Sequence, residues 1–540
     1  MDINSRENKV EISGFGPFGA NPQGFAPPDS TYHLGTGEDV EFQVENGWTH
    51  ILHAPPFLLS VFDQELRYPT QVALAMEAGF VAQDGWDGWI RLLRKPTQTN
   101  PSPRVPTGLL SALIRLCGKF GFTYRIHDSR NKPAGDVPEM VTIPLRDYQE
   151  AAVEAALKAG RGVLDMPPRS GKTRTMAEIH RRLALPTAWL APTTRIVTQT
   201  AEVLAGFFGE NYAFTLVGSK DWKAASRKKI VVCTAATAGN LPADFWKSRQ
   251  VVVVDEWHHA AAKTYREILD HCEHVYYRFG MTGTFYRSGL DELAMHALLS
   301  NAVYKITSRE LLARGFLIPV KVVFIPVLGH VRGCGTGFQT GHGKAGIHEH
   351  TYRQSMVAHV AHYLQSTGRR VLVLVGTKKQ GRDLETVIRT LVPRAPDGCQ
   401  RKSVEFICHD TPKTIQGEIL ESFVAGREVK VLIGTSIVGE GVDLPTTDSL
   451  VYAKGEKAEV TLVQNAYRVA TAAEGKDSAI IVDFADRHHR KLLQHALERL
   501  RIYHEEPSFE VKVLQDPQEF PQWLQAQGKK LDQNLWNGVI

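Results

Sequence analysis

Gly162-Val163-Leu164-Asp165-Met166-Pro167-Pro168-Arg169-Ser170-Gly171-Lys172-Thr173 is the stretch from which the fold can be read. Residues 162–164 are an apolar run of strand length, residues 166–171 form a Pro/Gly turn, and a helical pattern opens at Thr173. Strand, loop and helix in that order let backbone N–H groups at a helix N-terminus hold phosphate. Pro168, Arg169, Ser170 and Gly171 then run along the phosphates. Lys172 brings a point charge to the β- and γ-phosphates, and the Thr173 hydroxyl reaches Mg²⁺. Met166 stands where this pattern usually has its first glycine.

Downstream, Val251-Val252-Val253-Val254-Asp255-Glu256-Trp257-His258 runs four β-branched residues into two carboxylates. Carboxylates at the C-terminal end of a buried strand sit where open α/β sheets bind ligands. Asp255 is expected to hold Mg²⁺ and Glu256 to orient or deprotonate an attacking water. Together the two stretches specify nucleoside triphosphate hydrolysis. Further strand-length runs lie at 188–191, 230–233, 278–281, 371–375, 404–408, 429–433 and 479–482, mostly separated by helical segments. Buried strands alternating with helices imply parallel sheets of βαβ units. The series divides into halves, 141–312 and 313–490, with a cleft between them.

The chain has 540 residues, enough for roughly three to four domains. With 43% apolar and 22% charged residues it is neither disordered nor fibrous. Its six cysteines are scattered without a C-x-x-C pair, which suits a reducing cytosol. No run reaches the 18 or more apolar residues of a membrane helix, and the first residues lack an apolar signal core. A cytoplasmic monomer is expected. Residues 1–40 read as a flexible tail, 41–135 as a small α+β domain, 129–140 as a linker and 491–540 as a helical extension with Leu492, Leu493, Ala496, Leu497 and Leu500 on one face. Net charge is only +5, so local charge must carry any nucleic-acid reading. Between residues 88 and 131 there are eight Lys or Arg, among them Arg91, Arg94 and Lys95, against one acid, Asp128. Interleaved with Trp89, Phe122 and Tyr124, these form a candidate surface for phosphates and stacked bases; the alternative is a core of aromatics under solvated charges. The Gly/His-rich residues 328–350 read as a long loop. A metal site of His330, Cys334, His342, His348 and His350 is the other reading, but the spacing matches no standard zinc pattern.

Four more elements fall into line: Pro144 to Gln149, Thr282-Gly283-Thr284, Gly434 to Pro445, and Gln464 to Arg468. In order and spacing the set resembles the superfamily-two helicases of DExH type. The resemblance implies two tandem RecA-like parallel-sheet domains preceded by the small α+β domain, with ATP and Mg²⁺ bound in the cleft. It implies that Gln149 bonds the adenine edge, that Arg146 stacks near the ring, and that His258 couples the nucleotide to Thr282 and Thr284. Gly441, Asp443, Gln464 and Arg468 would complete the nucleotide site from the second domain. Thr193, Thr194, Thr234, Gly376, Thr377 and Thr435 match positions that grip nucleic-acid phosphates. The last motif departs from the usual Q-x-x-G-R-x-x-R: Tyr467 replaces the glycine and Thr471 the second arginine. Lys476 is a nearby cation that could stand in. Gly85-Trp86-Asp87-Gly88-Trp89-Ile90-Arg91-Leu92-Leu93 and Pro106-Thr107-Gly108-Leu109 resemble the N-terminal domain of the UvsW-like recombination helicases of tailed phages. That implies a bacterial or phage-infected cytosol. It also implies branched, forked or single-stranded DNA as partner, and unwinding, branch migration and annealing in recombination, repair or replication restart. RNA remains open, as do an ATP-gated binding protein with weak turnover and the motor subunit of a restriction or defence assembly.

Overall fold

The computed structural model describes residues 40–70, 86–135, 142–210, 212–218, 220–257, 262–283, 292–329, 341–391, 403–435, 444–457, 459–473 and 475–527, with positions 72, 73, 76 and 438. Of the expected tail 1–40, residues 1–39 lie outside them and Val40 opens the first strand; of the expected linker 129–140, residues 136–140 lie outside them.

The accessory domain carries β1 (Val40–Val44), β2 (Trp48–His53), β3 (Arg67–Pro69), β4 (Trp89–Arg91), β5 (Arg104–Pro106) and β6 (Tyr124–Asp128). A four-stranded sheet runs β5-β2-β1-β6, and β3-β4 form a separate ribbon. Val40, Phe42 and Val44 alternate inward along β1, as period two requires. They meet Leu58 and Phe62 of the helix Pro56–Glu65 and Leu113 and Leu116 of the helix Leu110–Lys119. Ala294 and Ala297, from the helix Glu292–Leu299 of the next domain, belong to the same core. The seam is sealed by polar contacts: the Asn46 side-chain amide donates to the His274 carbonyl at 2.6 Å, Trp48 Nε1 to Glu273 at 2.7 Å, and Asn301 to Ser111 at 2.9 Å.

The next sheet is built from β7 (Arg161–Asp165), β8 (Thr187–Ala191), β9 (Ala213–Leu216), β10 (Ile230–Thr234), β11 (Val251–Val254), β12 (Tyr277–Thr282) and β13 (Ala302–Lys305), in the order β13-β7-β12-β11-β8-β10-β9. Every pair is parallel. The four valines of β11 are all buried, contributing roughly 1.5 kcal/mol or more each.

A second all-parallel sheet holds β14 (Val320–Val327), β15 (Val371–Leu374), β16 (Val404–Ile407), β17 (Val431–Gly434), β18 (Ser449–Tyr452), β19 (Ala479–Asp486) and β20 (Phe509–Val513), in the order β16-β17-β15-β18-β19-β14-β20. Two tandem RecA-like domains behind a small domain of mixed strands are the architecture. Residues after 490 are more than a helix: Arg490–Glu505 is followed by β20, which extends the second sheet. Arg499 of that helix is fully buried on Asp483, with Nη2 2.9 Å and Nε 3.0 Å from the carboxylate. Beside it Arg353 pairs with Asp486 at 2.7 Å. The Gly/His-rich stretch packs against the start of this helix. His342 lies 5.3 Å from His489 and 6.1 Å from His495, and His350 lies 4.6 Å from His488, centroid to centroid. Residues 330–340, including His330 and Cys334, lie outside the described residues. Among the described residues no group of three or more His, Cys, Asp or Glu is arranged to hold a metal ion. No helix among them is long and apolar enough to cross a membrane.

Candidate nucleotide site between the two sheets

Three strands that are neighbours in the first sheet, β7, β12 and β11, deliver the chemistry at their C-terminal ends. The phosphate loop follows β7, Thr282-Gly283 ends β12, and Asp255-Glu256 follows β11. The loop is tied down on both sides. Met166 N–H donates to the Thr282 carbonyl at 3.0 Å, and Lys172 Nζ reaches back to the Met166 carbonyl at 3.2 Å. Gly171 has φ 82°, and a Cβ there would collide with the Gln149 side-chain amide, so only glycine fits. The helix Lys172–Leu183 then starts with its N–H groups facing the loop. Ser170 Oγ is fully buried and has no hydrogen-bond partner among the described residues, an orphaned donor beside the loop backbone.

Gln149 folds back on the start of the helix Asp147–Ala159, its side-chain oxygen accepting from Arg146 N–H at 2.9 Å while its own N–H donates to the Arg146 carbonyl at 3.0 Å. The other end of the Gln149 amide donates to the Ser170 carbonyl at 2.8 Å. Tyr148, part of the same element in the sequence but given no role there, donates its hydroxyl to the same carbonyl at 2.8 Å. Arg146 bonds the Tyr148 hydroxyl at 2.9 Å and lies 4.3 Å above the ring of Phe316. Phe316 belongs to the connector between the sheets and was also missed. An aromatic in a short apolar segment just before a strand was its one signal.

Asp255 is buried, and its Oδ1 accepts the Glu256 N–H at 2.9 Å. Burial first, and the neighbouring Glu256 charge second, push its carboxyl well above the ordinary range, while Lys172 pulls the other way. Glu256 is held at φ 43°. Thr173 is half-buried at the helix start. These groups fit a metal-bound nucleotide: a buried carboxylate with a lysine beside it, an orphaned serine hydroxyl and a glycine-fitted loop.

From the second domain, Arg468 is buried in the last turn of the helix Glu459–Val469 and bonds the Val438 carbonyl. Thr471 pairs as an isolated bridge with Leu317 of the connector, and Ile318 N–H donates to the Ala470 carbonyl at 2.9 Å. Arg314 of the connector reaches Asp147 at 2.9 Å, and Phe316 packs edge-on against Tyr148 at 5.3 Å. The connector thus touches the Arg146–Gln149 element on one side and the Arg468–Thr471 element on the other. His258, Thr284, Gly441 and Asp443 lie outside the described residues, and Gln464 falls in the helix Glu459–Val469.

The expected nucleic-acid residues are dispersed over both domains. Thr193 and Thr194 are exposed at the start of the helix Thr194–Phe208, with Thr193 as its cap. Thr234 caps the helix Ala235–Ala238. Gly376 N–H donates to Gln380, whose own N–H is accepted by Thr377. Thr435 follows β17 and is half-buried. In the accessory domain Arg91 differs from its three-residue group. It is already paired with Asp63 at 3.3 Å and with Asp87, whose carboxyl it holds well below the usual range. Arg94 and Lys95 are exposed and rim a cavity of about 570 Å³ with Arg104, Trp48 and, from the first sheet domain, Glu273 and Arg278. Arg104 lies 4.3 Å over the Trp48 ring. Of the aromatics, Tyr124 is exposed, while Trp89 is covered by Arg67 at 4.5 Å.

Residues 142–287 match the family described as Type III restriction enzyme, res subunit, and residues 354–473 match the helicase conserved C-terminal domain. The chain is 21% identical over 473 residues to the ATP-dependent DNA helicase uvsW of Enterobacteria phage T4, covering 78% of this chain and 89% of that protein. It is 22% identical over 364 residues to the putative ATP-dependent helicase IRC3 of Saccharomyces cerevisiae, covering 63% of this chain and 51% of that protein. Among solved structures, the DNA-bound ATP-dependent Type ISP restriction-modification enzyme LlaBIII superposes with a TM-score of 0.51 at 16% identity, over 79% of this chain and 36% of that one.

Proposed function

Because the chain is a superfamily-two helicase ATPase resembling the UvsW-like proteins, we propose that it hydrolyses ATP to move on DNA and that it remodels forked or branched DNA by unwinding, branch migration and annealing. The observation that carries the reading is the convergence of the phosphate loop, Thr282 and Asp255-Glu256 on three adjacent strand ends, joined through one connector to Arg468 and Thr471.

In this reading the loop amides and Lys172 hold the phosphates, and Thr173 and Asp255 would hold Mg²⁺, which would supply neutralisation of phosphate charge. Glu256 takes the proton of the attacking water. Arg468 leaves the Val438 carbonyl for the terminal phosphate, a stronger, charge-assisted acceptor. On the adenine side, Gln149 exchanges its bond to the Ser170 carbonyl for the base edge, while Arg146 and Phe316 supply a stacking wall. Because the connector touches both elements, seating the nucleotide pulls the second domain's backbone-gripping loops relative to the first, which moves the strand. A gated binder with little turnover is the second reading, carried by Thr471 in the place of an arginine.

Steady-state ATP hydrolysis, alone and with single-stranded, forked and four-way-junction DNA and a matching RNA, tests this. Branched DNA is expected to stimulate strongly, and Lys172→Ala to lose about 10²-fold or more. Tight DNA binding with turnover equal to that of the lysine variant would leave the gated binder standing.

A further inference from the structure

Lys476 lies in the loop between the helix Glu459–Val469 and β19, and its side chain turns back on the chain. The ammonium donates to the carbonyls of Thr471 at 3.0 Å and Pro445 at 3.2 Å. Four charged side chains act on it: Asp448 favours its charge, while Arg169, Arg369 and Arg370 oppose it. Asp448 is already shared, since Arg369 lies 3.7 Å from its carboxylate. Burial and three cations therefore outweigh one divided acid, and the ammonium is pushed down to about 8. Arg169 belongs to the phosphate loop of the first sheet domain, where it is held at φ 69°. The repulsion thus runs across the cleft, from the loop that faces phosphate to the motif that carries Arg468. Fixed cations gathered around one shared carboxylate are stabilised by an anion arriving between them.

We propose that Lys476 is the second cation that the second domain brings to the terminal phosphate of the nucleotide, in the place where the superfamily motif has an arginine and this chain has Thr471. The assignment rests on the nucleotide reading above. Lys476 starts five residues further along the chain, yet its ammonium is held on the carbonyl of Thr471 itself. Two neutral carbonyls park it, and a phosphate oxygen is the stronger acceptor for a charged donor. Lys476 and Arg169 repel across the cleft, which favours separation of the two domains. A triphosphate between them turns both contacts attractive, so closure is tied to the anion.

The test is hydrolysis by the full chain on saturating forked DNA from pH 6.5 to 9.5, for the wild type, Lys476→Ala, Lys476→Arg and the Lys172→Ala blank, with thermal unfolding of each. Lys476→Ala is expected to lose about 10²-fold in kcat with the KM for ATP little changed. The active form is protonated, so wild-type kcat/KM should fall as pH rises through about 8, this ratio reporting the nucleotide-free protein. Lys476→Arg keeps the donors and does not deprotonate, so it should retain turnover within tenfold and lose the alkaline fall. Wild-type kcat in Lys476→Ala, or an alkaline fall that persists in Lys476→Arg, overturns the assignment. If Lys476→Ala unfolds, the pH profile of the arginine variant decides. Wild-type turnover no higher than the blank overturns the hydrolase reading and this assignment with it.

Discussion

Arg169 and Glu256 sit at positive φ in the two loops proposed to face the nucleotide, at 69° and 43°. Side chains there cost of order 1–3 kcal/mol each and persist where the surroundings hold them. The loop could have used glycine at 169 without that cost; an arginine there places a charge where phosphate is expected. A different residue of the same helical unit carries a pH dependence. His180 is buried, with Nδ1 2.8 Å from the Thr187 hydroxyl and Nε2 3.0 Å from that of Tyr212. Burial, with a smaller push from Lys229, brings its imidazole down to about 3. The unfolded chain takes up this proton near 6.5, before the native state does. Stability is therefore full above that pH and falls by about 1.4 kcal/mol per unit as pH drops toward 3. Urea unfolding at pH 7.5 and 5 should show a flatter pH slope in His180→Gln by one proton; an unchanged slope would mean that native His180 is charged.

The helix Arg490–Glu505 reads in sequence as an amphipathic piece with a basic face, yet Arg499 on it is fully buried. Arg499→Leu leaves Asp483 without its guanidinium inside the second domain and should cost about 3–5 kcal/mol in denaturant unfolding. Adding Asp483→Asn should recover part of that loss; a single variant as stable as the wild type would refute the buried-pair argument. Nothing in a helical wheel distinguishes a solvated arginine from a paired one, because the partner lies on another element. The same limit explains two of the strands that were missed. β2 contains Thr49, His50 and His53 on a half-exposed face, and β20 contains Glu510 and Lys512 at the edge of its sheet, so apolar runs thin out there. β14 and β18 were missed as well although they are buried almost throughout, so burial alone does not make a strand legible. Val251–Val254 stood out as an unbroken run of four β-branched residues. At the candidate site, the strand–loop–helix at 162–173 and the carboxylates after 251–254 were legible because each is a contiguous stretch, and the structure brings the two to neighbouring strand ends. The role of Tyr148 and the presence of Phe316 beside it were not, since the two meet only through the fold.

On the scale of the molecule, the charge expected of the accessory domain is redistributed. Arg91 is spent on Asp63 and Asp87, and the open cations are Arg94 and Lys95, beside Arg104. Changing Arg94, Lys95 and Arg104 together to Gln should lower the slope of log K against log salt for single-stranded DNA by about 2. Measuring binding from 50 to 200 mM salt checks this, and an unchanged slope would mean that these three side chains meet no phosphate. The accessory domain carries a further consequence for how such a protein can be inherited or cut. Its core is completed by Ala294 and Ala297, two residues of the neighbouring domain. A chain beginning at residue 142 would keep every group proposed to bind nucleotide and still expose the apolar face that the accessory domain covers. The accessory domain is therefore not a free cassette: exchanging it between motors has to carry along the helix Glu292–Leu299 that completes its core.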